Sequence, residues 1–196
     1  MPPPPVGPLA PHDTAAVRSQ APLRVTVPPP RSLAWWIGLL GTTAIHAFAV
    51  YAFIRGGVTW KLGLAALASY YVRMFAVTGI YHRYFSHRAY RTSRIFQLLL
   101  AAFGTTATQK GPLWWASTHR HHHKFSDTEH DVHSPVRKGF IYSHMGWWMG
   151  RDHERYDATN IQDFEAYPEL RWLDRHHYAG PFAMIAAGAA LGGIHL

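Results

Sequence analysis

The sequence predicts an all-α protein, with polytopic membrane helices and a cytoplasmic cap that carries histidine boxes. Three observations predict it. Only 15% of the 196 residues are Asp, Glu, Lys or Arg and 48% are hydrophobic, whereas an ordinary soluble domain is roughly 25% charged. Two long stretches, 33–54 and 62–80, carry one charge between them, and eight of the fifteen His crowd between 119 and 153. Charges this sparse cannot cover a soluble surface, which makes membrane embedding the leading class. Cys is absent, which excludes disulfides, thiolate metal sites and Cys nucleophiles. Apart from Asp13, no acidic residue precedes Asp127, so metal chemistry before that point must use His. The net charge of +8 does not indicate nucleic acid, because the cations are interleaved with apolar runs instead of forming a stripe on a polar face.

The elements follow in order. Residues 1–32 hold ten of the fourteen Pro; Pro fixes φ and removes donors, so a disordered Pro-rich tail is expected, without the pattern of a secretory signal. Residues 33–54 contain no charge, and at about 1.5 Å per residue they reach about 33 Å, enough to cross a bilayer core. Trp35 and Trp36 fit an interfacial anchor, and His46 within the span reads as hydrogen-bonded to a neighbouring helix. After the short turn Arg55–Lys61, residues 62–80 form a second span interrupted only by Arg73, so an antiparallel hairpin is expected. Arg83, Arg88, Arg91 and Arg94 beyond it outnumber Arg55 and Lys61 in the turn, which places the N-terminus and the His-rich segments in the cytoplasm. Residues 95–109 are too short to cross and predict a buried or interfacial helix, interrupted at Gly111-Pro112. Residues 117–177 predict the cap. Residues 178–196, rich in Ala and Gly, predict the start of a third span.

Two His spacings carry the chemistry. His82 and His87 lie five apart just past the second span. On a regular helix they stand about 140° apart, and so converge only if the helix ends or distorts, or if they serve different metals. In His119-Arg-His-His-His123, His122 and His123 fall at about 300° and 40° from His119, on one face, and His121 at about 200°, on the other. Neutral imidazole suits iron, zinc, copper and nickel. There is no His-Glu-x-x-His and no Glu-x-x-His, which excludes a zinc peptidase site and a soluble di-iron carboxylate bundle.

From residue 33 onward the sequence resembles the membrane fatty acid desaturases, in particular the acyl-CoA Δ9, stearoyl-CoA-type branch. The resemblance is carried by His-Arg-Tyr-Phe-Ser-His (82–87), His-Arg-His-His-His-Lys-Phe-Ser-Asp-Thr-Glu (119–129), Asp-Val-His-Ser-Pro (131–135) and Arg-Lys-Gly-Phe-Ile-Tyr-Ser-His-Met-Gly-Trp-Trp (137–148). It implies a partial desaturase domain over 33–196 in which two irons, held almost wholly by His, activate O2 and remove two hydrogens from a fatty acyl chain. His82, His87, His119, His122 and His123 are the implied iron ligands, with Asp131 orienting a ligand His. Gln109 and Trp115 would line the acyl tunnel, Tyr70 and Met74 would limit chain length at its closed end, and Arg151 would meet CoA phosphate.

The resemblance also implies an external electron donor of ferredoxin or cytochrome b5 type. The animal pattern is broken at Ser117-Thr118 and at Asp152, which leaves acyl-lipid and acyl-carrier-protein substrates open beside acyl-CoA. The family's third box, His-x-x-His-His, does not follow: after His123 the only adjacent pair is His176-His177. A C-terminally truncated or fragmentary desaturase is therefore expected. The rivals are a related membrane hydroxylase, a non-catalytic remnant, and a His-rich metal transporter. The transporter would need ionisable residues along its spans, where only His46 and Arg73 are candidates.

Overall fold

The computed structural model describes residues 33–57, 59–149 and 155–192. The chain divides into two units, Met1–Pro30 and Arg31–Leu196, and everything described belongs to the second. The expected tail and Arg151 lie outside the described residues.

Among the described residues every regular element is a helix. Helix α1 (Leu33–Gly56) matches the first apolar stretch. It ends at Gly57, whose φ of 64° lies in the left-handed region that glycine adopts without a Cβ clash. Helix α2 (Trp60–Phe75) is capped by Thr59, whose side chain accepts from Leu62 N–H, and continues without a break into a π-helix, Ala76–Ser86. Both α1 and the combined 27-residue helix are long and apolar enough to cross a membrane. Arg73 within the second donates to Ser69 O at 2.9 Å and to its hydroxyl, so its charge is met inside the helix.

The short apolar stretch becomes α3 (Arg94–Thr105), capped by Ser93. Gly111-Pro112 separates it from α4 (Pro112–Phe125), with Pro at the first helical position, where its missing N–H costs nothing. Then come α5 (Pro135–Lys138), a π turn at Tyr142–Gly146, 3-10 turns at Trp147–Met149 and Ala158–Ile161, α6 (Gln162–Glu165), α7 (Pro168–Arg175) and α8 (Ala179–Gly192). The described helix in the third apolar run is 14 residues, against about 20 for a crossing; residues 193–196 lie outside the described residues.

Two expectations change. Helix α1 shares no extended interface with any other described element, so the hairpin is joined in sequence without being packed. Its apolar side chains, Leu40, Phe48 and Phe53 among them, are exposed; in hydrocarbon no aqueous driving force pairs such helices. His46 bonds within its own helix, donating from Nδ1 to Thr42 O at 2.7 Å. An open, almost wholly apolar groove of about 780 Å³ separates α1 from Met145 and Trp148.

The core lies where the π-helix, α3, α4 and α7 meet, around Ile80, Tyr81, Phe85, Leu113, Phe164 and Leu170. Tyr81 fixes its centre: the ring packs over Gly104 of α3, where a Cβ would stand 2.3 Å from it. Its hydroxyl donates to Lys110 O at 2.9 Å. Asp174 of α7 caps α4, accepting from Leu113 N–H and Trp114 N–H, each at 2.9 Å. Burial, partly offset by those two bonds, raises its carboxyl to about 6. The element that carries the second histidine box is thus anchored at its N-terminus.

Candidate metal centre

The π-helix brings the first histidine pair together. Its last turn is closed by His87 N–H donating to His82 O at 3.0 Å, five residues back instead of four. Residues five apart, which diverge on an α-helix, are thereby brought together edge-on: the ring centroids stand 4.5 Å apart and the Nε2 atoms 3.1 Å. π turns are rare and are frequently found at functional sites. This one is held by Tyr81, by Tyr84 donating to Gln97 Oε1 at 2.9 Å, and by Ser86 Oγ donating to Tyr81 O at 2.9 Å. It ends at Arg88, whose φ of 51° is a left-handed backbone that a non-glycine residue adopts at a cost of about 1 kcal/mol or more.

The second pair needs no distortion. His119 and His123 are one α-turn apart on α4, with Nε2 atoms 2.9 Å apart. The two pairs face each other, with His82 to His119 at 4.8 Å and His87 to His123 at 4.9 Å between ring centroids. One nitrogen from each of the four rings lies within 4.8 Å of the others. Nitrogens on neighbouring positions of a metal with bonds of about 2.1 Å stand about 3.0–3.4 Å apart. The close pairs match that edge, and the all-nitrogen donor set suits iron.

The cluster is electrostatically ready for a cation. Burial, followed by the neighbouring His123, His82, His87 and His122, lowers His119 to about 3. Burial and then His87 and His122 lower His123 as well. Both imidazoles are neutral near pH 7 and keep a lone pair for a metal. Trp115 stacks on His119 at 4.7 Å, and its indole N–H donates to Gln109 Oε1 at 2.9 Å.

His122 belongs to a second group. Its Nδ1–H donates to Asp131 Oδ1 at 2.8 Å, and its ring stacks on His133 at 4.2 Å; His122, Asp131 and His133 form another constellation able to hold a metal. Asp131 is fully buried and also accepts from Asp127 N–H and His133 N–H. Burial pushes its carboxyl up, but the bond from His122 and those two backbone bonds outweigh it and hold it below the usual carboxylate range. His121 points away and donates to His130 O at 2.9 Å. His176 and His177 turn to backbone carbonyls of Trp172 and Asp174.

Other sites expected from the sequence fare differently. Tyr70 and Met74 are exposed, at 57% and 38%, so a closed tunnel end there requires a covering from elsewhere. His133, Arg120 and Asp163 were missed by the sequence reading. The i,i+2 placement of Asp131 and His133 in a non-helical stretch was a usable signal for His133. Nothing local marked the other two.

A cluster made only of imidazoles, set at the end of a long apolar helix, defines a His-box protein with a metal centre as its candidate site. The chain belongs to the fatty acid desaturase family. It is 32% identical over 158 residues to the sn-1 stearoyl-lipid 9-desaturase of Anabaena variabilis, 36% over 138 residues to that of Synechocystis sp., and 31% over 165 residues to the stearoyl-CoA desaturase of Homo sapiens. These alignments take in 80%, 67% and 80% of this chain, and 57%, 43% and 45% of the relatives. The chain therefore spans about half the length of these curated relatives. No family model matches it.

Proposed function

We propose that the protein carrying these residues desaturates a fatty acyl chain with O2 at a His-ligated di-iron centre, in unsaturated fatty acid biosynthesis. The observation that carries this reading is the convergence of His82, His87, His119 and His123, from two separate motifs, within 4.8 Å in a chain of the desaturase family. Iron held there would supply the redox chemistry that removes two hydrogens from an unactivated chain, with two electrons from an external ferredoxin or cytochrome b5-type donor.

The chain's own residues hold and orient that group. His82, His87, His119, His122 and His123 act as ligands. Asp131 fixes the His122 tautomer by taking its Nδ1 proton in a hydrogen bond, which leaves Nε2 free. Trp115, braced by Gln109, fixes the His119 ring and gives the acyl chain an apolar wall. Tyr70 and Met74 limit chain length, and Arg151 meets the phosphate of the carrier. The relatives are named for stearoyl-lipid and for acyl-CoA substrates, so the acyl chain is carried on lipid or CoA, with carrier protein as a third possibility. The protein is integral and multi-pass, with its N-terminus and both boxes cytoplasmic; the excess of Arg after the second long helix supports that orientation.

The test is a reconstituted assay of the purified protein with Fe(II), O2, a reducing donor system and stearoyl-CoA or stearoyl-lipid, with products analysed by mass. An alkene is expected. An alcohol would assign the related hydroxylase, and iron bound without any product from either carrier would overturn the reading.

A further inference from the structure

Both histidine-bearing elements are tied to one carboxylate that lies in neither motif. Asp163 of α6 accepts from Arg88 Nε at 2.7 Å and from Arg120 Nη1 and Nη2 at 2.9 and 3.1 Å. Arg88 directly follows His87, and Arg120 directly follows His119. Arg120 also donates from Nε to Ser86 O at 3.0 Å and from Nη2 to Phe85 O at 2.5 Å. Those carbonyls end the π-helix and have no partner further along it. A guanidinium is a planar fork whose direction a two-oxygen contact fixes. The Arg120 and Asp163 side chains are only 17% and 23% exposed, so this contact is shielded from water as a surface pair is not. The left-handed backbone at Arg88 turns its side chain back toward the same carboxylate.

We propose that Asp163 is a positioning residue for the candidate metal centre: by holding Arg88 and Arg120 on its two oxygens, it sets the His82–His87 pair against the His119–His123 pair. The inference rests on the metal-binding role proposed above. Each pair is built locally, the first by the π turn and the second by one α-turn. Loss of Asp163 therefore leaves both pairs intact and loosens their mutual register, so the number of imidazoles meeting one ion falls from four to two.

The full chain in detergent, titrated with Co(II), tests this, because the visible spectrum of Co(II) reports its donor set. The wild type is expected to give a four-imidazole spectrum, and the double variant H82A/H87A a two-imidazole reference. Asp163→Asn is expected to keep the wild-type helical circular dichroism, to bind Co(II) about tenfold or more weakly, and to shift to the two-imidazole spectrum, with Asp163→Glu restoring both. Arg88→Met removes a guanidinium that is 59% exposed, and a smaller loss of the same kind is expected. Wild-type affinity and spectrum in Asp163→Asn would overturn the proposal and leave the metal reading standing. If that variant does not fold, wild-type behaviour of Arg88→Met overturns it instead. Absence of imidazole-bound Co(II) in the wild type would overturn both.

Discussion

Gly104→Ala should destabilise the protein, although helix propensity alone predicts the reverse. In an α-helix Ala is favoured over Gly by about 1 kcal/mol. At this site the new Cβ would meet Tyr81 Cε1 at 2.3 Å, Cδ1 at 2.8 Å and Cζ at 3.1 Å. Relief to ordinary contact near 3.4 Å needs a shift of about 1.1 Å. Tyr81 cannot yield cheaply: it is fully buried, edge-on to Phe85, tilted against Trp115, and bonded through its hydroxyl to Lys110 O. Overpacking of this kind costs about 1–3 kcal/mol, and a lost hydrogen bond about 1 kcal/mol more. The net expectation is about 2 kcal/mol of destabilisation, or a fall of about 4–8 °C in the apparent Tm for a domain of this size. Because Tyr81 adjoins His82 and touches Trp115, weaker metal binding should accompany it. The assay is thermal unfolding by circular dichroism in detergent, with a parallel metal titration. A Tm equal to or above wild type would refute the argument, because propensity would then outweigh the clash.

Three further outcomes are expected. Asp131→Ala removes the acceptor that orients His122 and should weaken metal binding at that group about 10–100-fold, read by equilibrium titration; unchanged affinity would remove Asp131 from the site. The metal-free protein should lose stability as pH falls from about 6.5 toward 3, because His119 binds its proton in the unfolded chain well before the folded one, where burial lowers it to about 3; denaturant titration across that range should show it, and His119→Phe should flatten the slope. The opposite sign applies to Asp174, raised to about 6 in the folded state: its contribution is lost as pH rises from about 3.8 toward 6. Asp174→Asn, which keeps an oxygen for Leu113 and Trp114, should therefore match or exceed wild-type stability at pH 7. Asp174→Ala should cost about 1–3 kcal/mol by leaving two N–H groups unpaired.

Much of the helical plan was legible because length and charge exclusion are local properties. The uncharged stretch 33–54 is helical over Leu33–Gly56, and the break expected at Gly111-Pro112 is where α4 begins after α3 has ended. The approach of His119 to His123, and the opposite orientation of His121, follow from α-helical spacing alone. The approach of His82 to His87 does not, since a backbone with five-residue bonds cannot be inferred from a 3.6-residue period. His122 illustrates the converse. It shares a helix face with His119 and His123, yet a buried carboxylate nine residues on draws it to a separate group. Asp163 lies more than forty residues beyond Arg120, and only the folded chain brings them together.

The π segment also sets a rule for length changes in this stretch. Removing any one residue between 82 and 87 would restore ordinary α spacing and could still leave two imidazoles one turn apart. Adding one residue to this turn, by contrast, would leave no five-residue bond to absorb it and would rotate everything downstream by about 100°, carrying Arg88 away from Asp163 and the first pair out of phase with the second. The interval between these histidines is therefore a one-sided gauge: the turn has already taken up one extra residue and has no room for a second.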